Sequence, residues 1–177
     1  MSFHEDTERS RAERDRFLAG HYASPLTDEN QATFKGLDYF PPDEAWRLEA
    51  EFRPVAPERI DVPSSSGSSH PYARIGWATI TLGRSTHALA VFDDGDGNAF
   101  IPFADATNGI ESYGGGRYVD LVVDDEGRAT IDFNEARNPY CAYDDEFVCP
   151  FPPRWNWIAA RIEAGERDFR RRRDPRS

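Results

Sequence analysis

The sequence predicts a mainly β protein: an antiparallel β-barrel or sandwich of about 7–8 strands preceded by one or two N-terminal helices. Three observations lead there. From Trp46 onward, apolar and polar residues alternate in run after run, as strands with one buried face do. The runs are separated by short turn sequences such as Gly83-Arg84-Ser85, Asp93 to Asn98 and Asp124 to Gly127, which join antiparallel neighbours. Helical signals are confined to the first 35 residues of a 177-residue chain, a length that makes one domain with its own core.

Glu5 to Gly20 is charged and helical in character. Phe17 and Leu18 are nearly its only apolar residues, and Gly20 is the stop signal. Thr27 is positioned to cap a short second helix over Asp28–Lys35, with Asp28 and Glu29 in its first turn. Gly36 to Pro42 is an apolar connector pinned to the core. Trp46, Leu48, Ala50 and Phe52 alternate with Arg47, Glu49 and Glu51 as a first strand, and Arg59–Val62 is a second. Ser64 to Ser69 is a flexible loop by composition. Strands are then expected over Tyr72–Leu82, Thr86–Phe92, Ala99–Phe103, Tyr118–Val123 and Ala129–Asn134. Trp157–Ile162 is expected as a last strand or a short helix, the alternation of Ile158, Ala160 and Ile162 favouring the strand. The organisation that follows is a helical extension over residues 1–35 packing on the core, a β-rich domain over 36–164, and a basic, disordered tail over 165–177.

Formal net charge is -11, and of 21 basic residues only Lys35 is lysine. Mean hydropathy is -0.72. Such a balance keeps a protein soluble, with its self-repulsion relieved by salt; the expectation is a salt-adapted, cytoplasmic protein. The charged N-terminus has no apolar stretch of signal-peptide type, and no window approaches a membrane span. The arginine run Arg170 to Arg173 with Arg176 is a solvated tail, because the rest of the chain repels phosphate and makes nucleic acid an unlikely partner.

The stretch from Ile101 to Pro153 gathers the residues able to carry chemistry. Gly114-Gly115-Gly116 before Arg117 allows positive φ and close approach of a ligand, and Arg117 offers a fork for a carboxylate or phosphate. No Lys-Ser/Thr follows and a strand comes next, so neither phosphate-loop nor dinucleotide fingerprints fit, and a tight turn explains the glycines equally. Asp132 and Asn134 share one strand face while Ile131 and Phe133 share the other; Asn138 and Cys141 follow in a loop, where Asp and Asn also serve to brace backbone. Cys141 and Cys149 lack a nearby His and a C-x-x-C spacing, so no metal site is expected and inert buried thiols are the simplest reading. The run Asp93 to Asn98 has the flavour of a calcium loop without its closing Glu, and reads as an acidic hairpin turn.

The blocks FKGLDYFPPDEAW, IPFADATNGIESYGGGRYVDL, IDFNEARNPYCAY and CPFPP, with ERDRFLAGHYASPL upstream, resemble the signature segments of the uncharacterised family called domain of unknown function 1684. Pro153-Arg154-Trp155-Asn156 departs slightly from the family pattern. The resemblance covers nearly the whole chain in the short, single-domain form, without the forkhead-associated-like module of longer relatives, and points to a halophilic archaeal source. It implies a shared site or structural device at Phe103, Asp105, Thr107, Gly109, Glu111, Tyr113, Gly114 to Arg117, Asp132, Asn134, Asn138, Cys141 and Cys149. It implies no reaction, and the cofactor is unknown.

Three functional readings follow. The leading one is a protein that binds a small polar or anionic ligand, with Arg117 and Gly114, Gly115 and Gly116 as anion contacts, Glu111, Asp132 and Asn134 fixing its orientation, Tyr113 or Tyr118 as a wall, and Asn138 and Cys141 nearby. The rival is a hydrolase-type enzyme with Glu111 or Asp132 as general base. The third is a scaffold or interaction module whose polar blocks only brace long loops.

Overall fold

The computed structural model describes residues 2–170. The first helix, α1, spans Phe3–Gly20. Ser2 and Glu5 form a capping box, each side chain accepting the other's backbone N–H, which satisfies donors that have no partner within the helix. The helix ends at Gly20, where the His21 N–H closes onto the Phe17 carbonyl at 3.0 Å. A second helix, α2, covers Asp28–Thr33, and Thr27 Oγ1 caps it by accepting the Asn30 N–H at 3.3 Å. It stops two residues short of the expected Lys35, so the described residues hold one long α-helix and one short one.

Six strands follow: β1 Arg47–Pro63, β2 Ser69–Leu82, β3 Ser85–Asp93, β4 Ala99–Phe103, β5 Arg117–Val123 and β6 Ala129–Asp132. Each pairs antiparallel with the next, and β6 returns to β1, closing a barrel. The closing seam pairs Arg47–Ala50 with Ala129–Asp132. Two expectations are corrected by this count. The segments Trp46–Phe52 and Arg59–Val62 are one strand, because a register shift between Pro54 and Glu58 takes up the two prolines that break the alternation. The expected strand Trp157–Ile162 is absent: Ile158 and Ile162 are buried but Ala160 is exposed, so the burial does not alternate. Its backbone is satisfied by other means, with the Asp105 carboxylate accepting the Ile162 N–H at 2.7 Å and the Arg117 guanidinium donating to the Ile162 carbonyl at 2.9 Å.

The inward faces of the strands fill the barrel. Ile80, Leu89, Val91, Ile101, Phe103, Val119, Ile131 and Phe133 are all buried there, joined by Ile158 and Ile162 from the C-terminal segment. Phe103 and Phe133 meet edge to face at 5.0 Å. A second cluster, of Leu18, Leu26, Leu37 and Tyr143 with Phe17, Phe34 and Phe169, fastens the helices to the side of the barrel. The C-terminal segment is part of the fold as far as it is described. Gly165 and Glu166 are buried, Glu166 at 2% exposure. The remainder of the arginine run, residues 171–177, lies outside the described residues. No helix among the described residues is long and apolar enough to cross a membrane.

Candidate functional site

The Gly-rich turn enters β5 at Arg117, and the turn is tight. Gly116 has φ of +88°, and a Cβ there would stand 2.4 Å from Pro152 Cγ and 2.8 Å from the Phe103 carbonyl oxygen. Arg117 is fully buried. Its Nη1 donates to the Ala164 and Glu166 carbonyls, the second at 3.2 Å. Its Nη2 donates to Asp105 Oδ1 at 3.2 Å and to the Ile162 carbonyl. The rings of Phe103 and Phe40 lie 5.2 and 5.7 Å from the guanidinium carbon. The fork expected to meet an external anion therefore holds backbone carbonyls and a carboxylate of the same chain. Burial lowers its pKa and Asp105 opposes that shift.

Asp105 is filled in the same way. Its two oxygens accept from the Thr107 hydroxyl at 3.0 Å, the Thr107 N–H at 3.1 Å, the Ile162 N–H and Arg117. Asp132 and Asn134 brace the turn after β6. Asp132 Oδ1 accepts from the Asn134 N–H and its side-chain Nδ2, both at 2.9 Å. Asn134 in turn exchanges hydrogen bonds with the Asp43 backbone at 3.0 and 2.9 Å. Ile131 and Phe133 face the core, as the alternation requires.

The expected site residues do not converge on one place. Glu111 lies beside an open cleft of about 280 Å³ with Phe40, Trp46, Glu163 and Arg167, paired to Arg161 at 2.6 Å. Tyr118 Oη donates to the Pro150 carbonyl at 2.6 Å. Tyr113 Oη donates to the Cys141 sulfur at 3.8 Å, and the Cys141 N–H donates to the Cys149 sulfur at 3.3 Å. Asn138 donates from its N–H to Glu166 at 2.7 Å and from Nδ2 to the Arg167 carbonyl at 2.8 Å.

Of these residues, Asn134 lies in the cavity with the least settled chemistry. This space of about 140 Å³ separates α1 from the barrel rim and is lined by Ser10, Arg11, Arg14, Tyr39, Asp120, Asn134, Glu135, Ala136, Arg137 and Glu166. Most of its charges are paired. Arg14 Nε donates to Glu166 at 3.0 Å, and Arg137 takes Asp120 in a two-pronged contact at 2.9 and 2.7 Å. Glu166 also accepts from Tyr143 Oη at 2.5 Å. Arg11 differs. Its guanidinium carbon lies 4.5 Å from the Tyr39 ring centroid, but its Nε and Nη2 are buried with no hydrogen-bond partner. Burial lowers its pKa. Glu135 accepts from the Ser10 hydroxyl, and burial of its carboxyl raises its pKa although the residue as a whole is exposed.

Arg11, Arg14 and Glu166 were not among the residues singled out by sequence. The signal was present for the first two: Thr7, Arg11, Arg14 and Leu18 fall at helical spacing on one face of α1. Two arginines where an apolar stripe belongs mark a polar face turned toward the protein. Glu166 carried a weaker signal in the preceding glycine. Gly165 has φ of +76°, and a Cβ there would lie 2.5 Å from the Ala136 carbonyl oxygen.

Residues 32–167 match the model of a family described as "Protein of unknown function (DUF1684)". Among curated proteins none matches. An uncharacterized protein of Haloarcula marismortui, solved in solution by NMR, is similar to the chain, with 37% sequence identity, 92% of each chain covered and a TM-score of 0.71.

Proposed function

The chain belongs to the DUF1684 family of proteins of unknown function, and on that footing we propose that it binds a small ligand bearing a carboxylate or similar oxyanion in the cavity between α1 and the barrel rim. The observation that carries this is Arg11. Two guanidinium nitrogens held out of water without an acceptor cost the molecule free energy, and a planar oxyanion supplies acceptors in the fork geometry that arginine matches. Apolar cavities of about 150 Å³ take benzene, so a ligand of a few heavy atoms fits here. Asn134, Tyr39 and Arg137 line the same space, each already held by partners of this chain. The anion contact is thereby assigned to Arg11 instead of Arg117, and the Gly-rich turn becomes part of the frame. The acidic balance of the chain supports work in a salt-rich cytosol.

Glu135 favours a second reading at the same place. A carboxyl that holds its proton to higher pH, beside a cationic anchor, is equipped for acid–base chemistry on a bound carboxylate.

Thermal unfolding with increasing acetate, formate or malonate tests the proposal. At least one of these should raise Tm steadily with the logarithm of its concentration, adding about 2.7 kcal/mol of stability at a hundredfold excess over Kd. Arg11→Met should abolish the effect while leaving the unliganded protein as stable or slightly more so, because it removes unpartnered buried donors. Identical titrations in the wild type and in Arg11→Met would refute the site.

A further inference from the structure

Cys141 and Cys149 stand eight residues apart in the chain and against one another in the fold. Both are free thiols, at 2% and 8% exposure. Cys149 Sγ accepts the backbone N–H of Cys141 at 3.3 Å, which sets the two cysteines side by side. Three further groups surround them. Tyr113 Oη donates to Cys141 Sγ at 3.8 Å, and Ser65 Oγ accepts the Cys149 N–H at 3.0 Å. Arg170 Nη2 donates to the Cys141 carbonyl at 2.7 Å and its guanidinium carbon lies 5.8 Å from the Tyr113 ring centroid. Inert buried cysteines sit in apolar surroundings that disfavour the thiolate. Here each sulfur receives one hydrogen bond, Cys141 from Tyr113 Oη and Cys149 from the Cys141 N–H, with the Arg170 cation close by.

We propose that Cys141 and Cys149 form a reversible dithiol–disulfide couple that is oxidised by hydroperoxides. In the first step the Cys141 thiolate attacks one peroxide oxygen. The S–O bond forms, the O–O bond breaks, and the other oxygen leaves with a proton as water or an alcohol, giving Cys141 sulfenic acid. In the second step the Cys149 sulfur attacks the Cys141 sulfur. The S–S bond forms, the S–O bond breaks, and the departing hydroxide takes the Cys149 proton and leaves as water. One peroxide is reduced by two electrons and two thiols are oxidised to one disulfide. A thiol reductant restores the pair by exchange. The roles follow the surroundings: the adjoining Cys149 thiol, helped by the Tyr113 hydroxyl, lowers the Cys141 pKa to about 6, and the nearness of Cys141, together with burial, raises that of Cys149. The nearly closed setting favours a reactant as small as a peroxide over a bulky disulfide.

Native full-length protein exposed to a slight excess of hydrogen peroxide provides the test, read by intact mass and by peptide mapping without reduction. The expected product is a monomer lighter by two hydrogens, its mass loss mapped to a Cys141–Cys149 link and reversed by dithiothreitol. Because Cys141 ionises near pH 6, the rate should rise only about tenfold between about pH 5 and pH 8, against several hundredfold for an ordinary thiol. In Cys149→Ser the oxidation should stop at a sulfenic acid trapped by dimedone. Unreacted thiols, a link between two molecules, or independent over-oxidation of each cysteine in the wild type would overturn the proposal, and none of these readings depends on a variant folding.

Discussion

Arg117 and Asp105 form an ion pair at 3.2 Å with neither side chain exposed. Withdrawing two charges from water costs several kcal/mol per ion, and only a complete set of partners offsets it. Asp105 has such a set, and Arg117 lacks a partner only at Nε. Arg117→Met should therefore cost about 3–5 kcal/mol in denaturant unfolding, because it strands a buried carboxylate. Arg117→Lys should recover little, since an ammonium cannot span carbonyls from three residues and a carboxylate laid out for a planar fork. A cost below about 1 kcal/mol for Arg117→Met would show that the pair is not structural. The sequence made Arg117 conspicuous but not its purpose. Its acceptors lie 45, 47 and 49 residues downstream, and nothing local says whether a fork will meet a ligand or the chain itself. Cys141 gives a pH dependence at this scale. Its folded pKa lies near 6, below the ordinary 9.0, so the folded state binds fewer protons than the unfolded one between those values. Its contribution to stability is full above about pH 9 and is lost as pH falls through about 6. Stability measured from pH 5 to 9 should rise more steeply in the wild type than in Cys141→Ser.

At the scale of elements, the strands that alternate cleanly were legible. The pattern Ile131/Phe133 against Asp132/Asn134 places the core on the correct side of β6. Trp157–Ile162 makes no strand because its apolar residues serve a loop threaded against the barrel, where single backbone bonds to Ala104 and Ala106 and the side chains of Asp105 and Arg117 satisfy the backbone. The charge of α1 hid its purpose. A helix with two arginines on its packed face looks weakly attached by hydrophobicity alone, yet Arg14 reaches a buried Glu166 and Leu18 is fully covered. The Gly-rich turn, by contrast, has a requirement that one substitution exposes. Gly116→Ala places a methyl against backbone oxygen and Pro152 at a φ that L residues avoid. It should lower Tm by several degrees, as expected for roughly 2 kcal/mol or more in a chain of this size. An unchanged Tm would mean that the turn relaxes freely and does not fix the entry of β5.

For the molecule as a whole, -11 formal charges on 177 residues predict a strong response to salt. Screening weakens self-repulsion over roughly 10 Å at 0.1 M and over much less at molar concentrations. Tm should climb as potassium chloride is raised from dilute to molar levels; a flat or falling Tm would separate the acidity from salt adaptation. The barrel was legible as a class because short turns and alternating runs leave few other arrangements, while closure was not, since the β1–β6 seam joins the two ends of the β region. That seam uses only the first four residues of a 17-residue strand. Beyond Ala50, β1 pairs with β2 on one side, and no other named strand among the described residues takes its opposite side until Pro63. A long unpaired flank of this kind is where chains stack into fibres. Pro54 and Pro57 remove donors from it, the register shift bends it, and Glu51, Arg53, Glu58, Arg59 and Asp61 line it with charge. The prolines that made one strand look like two in the sequence thus blunt that flank without relying on charge, which salt screens.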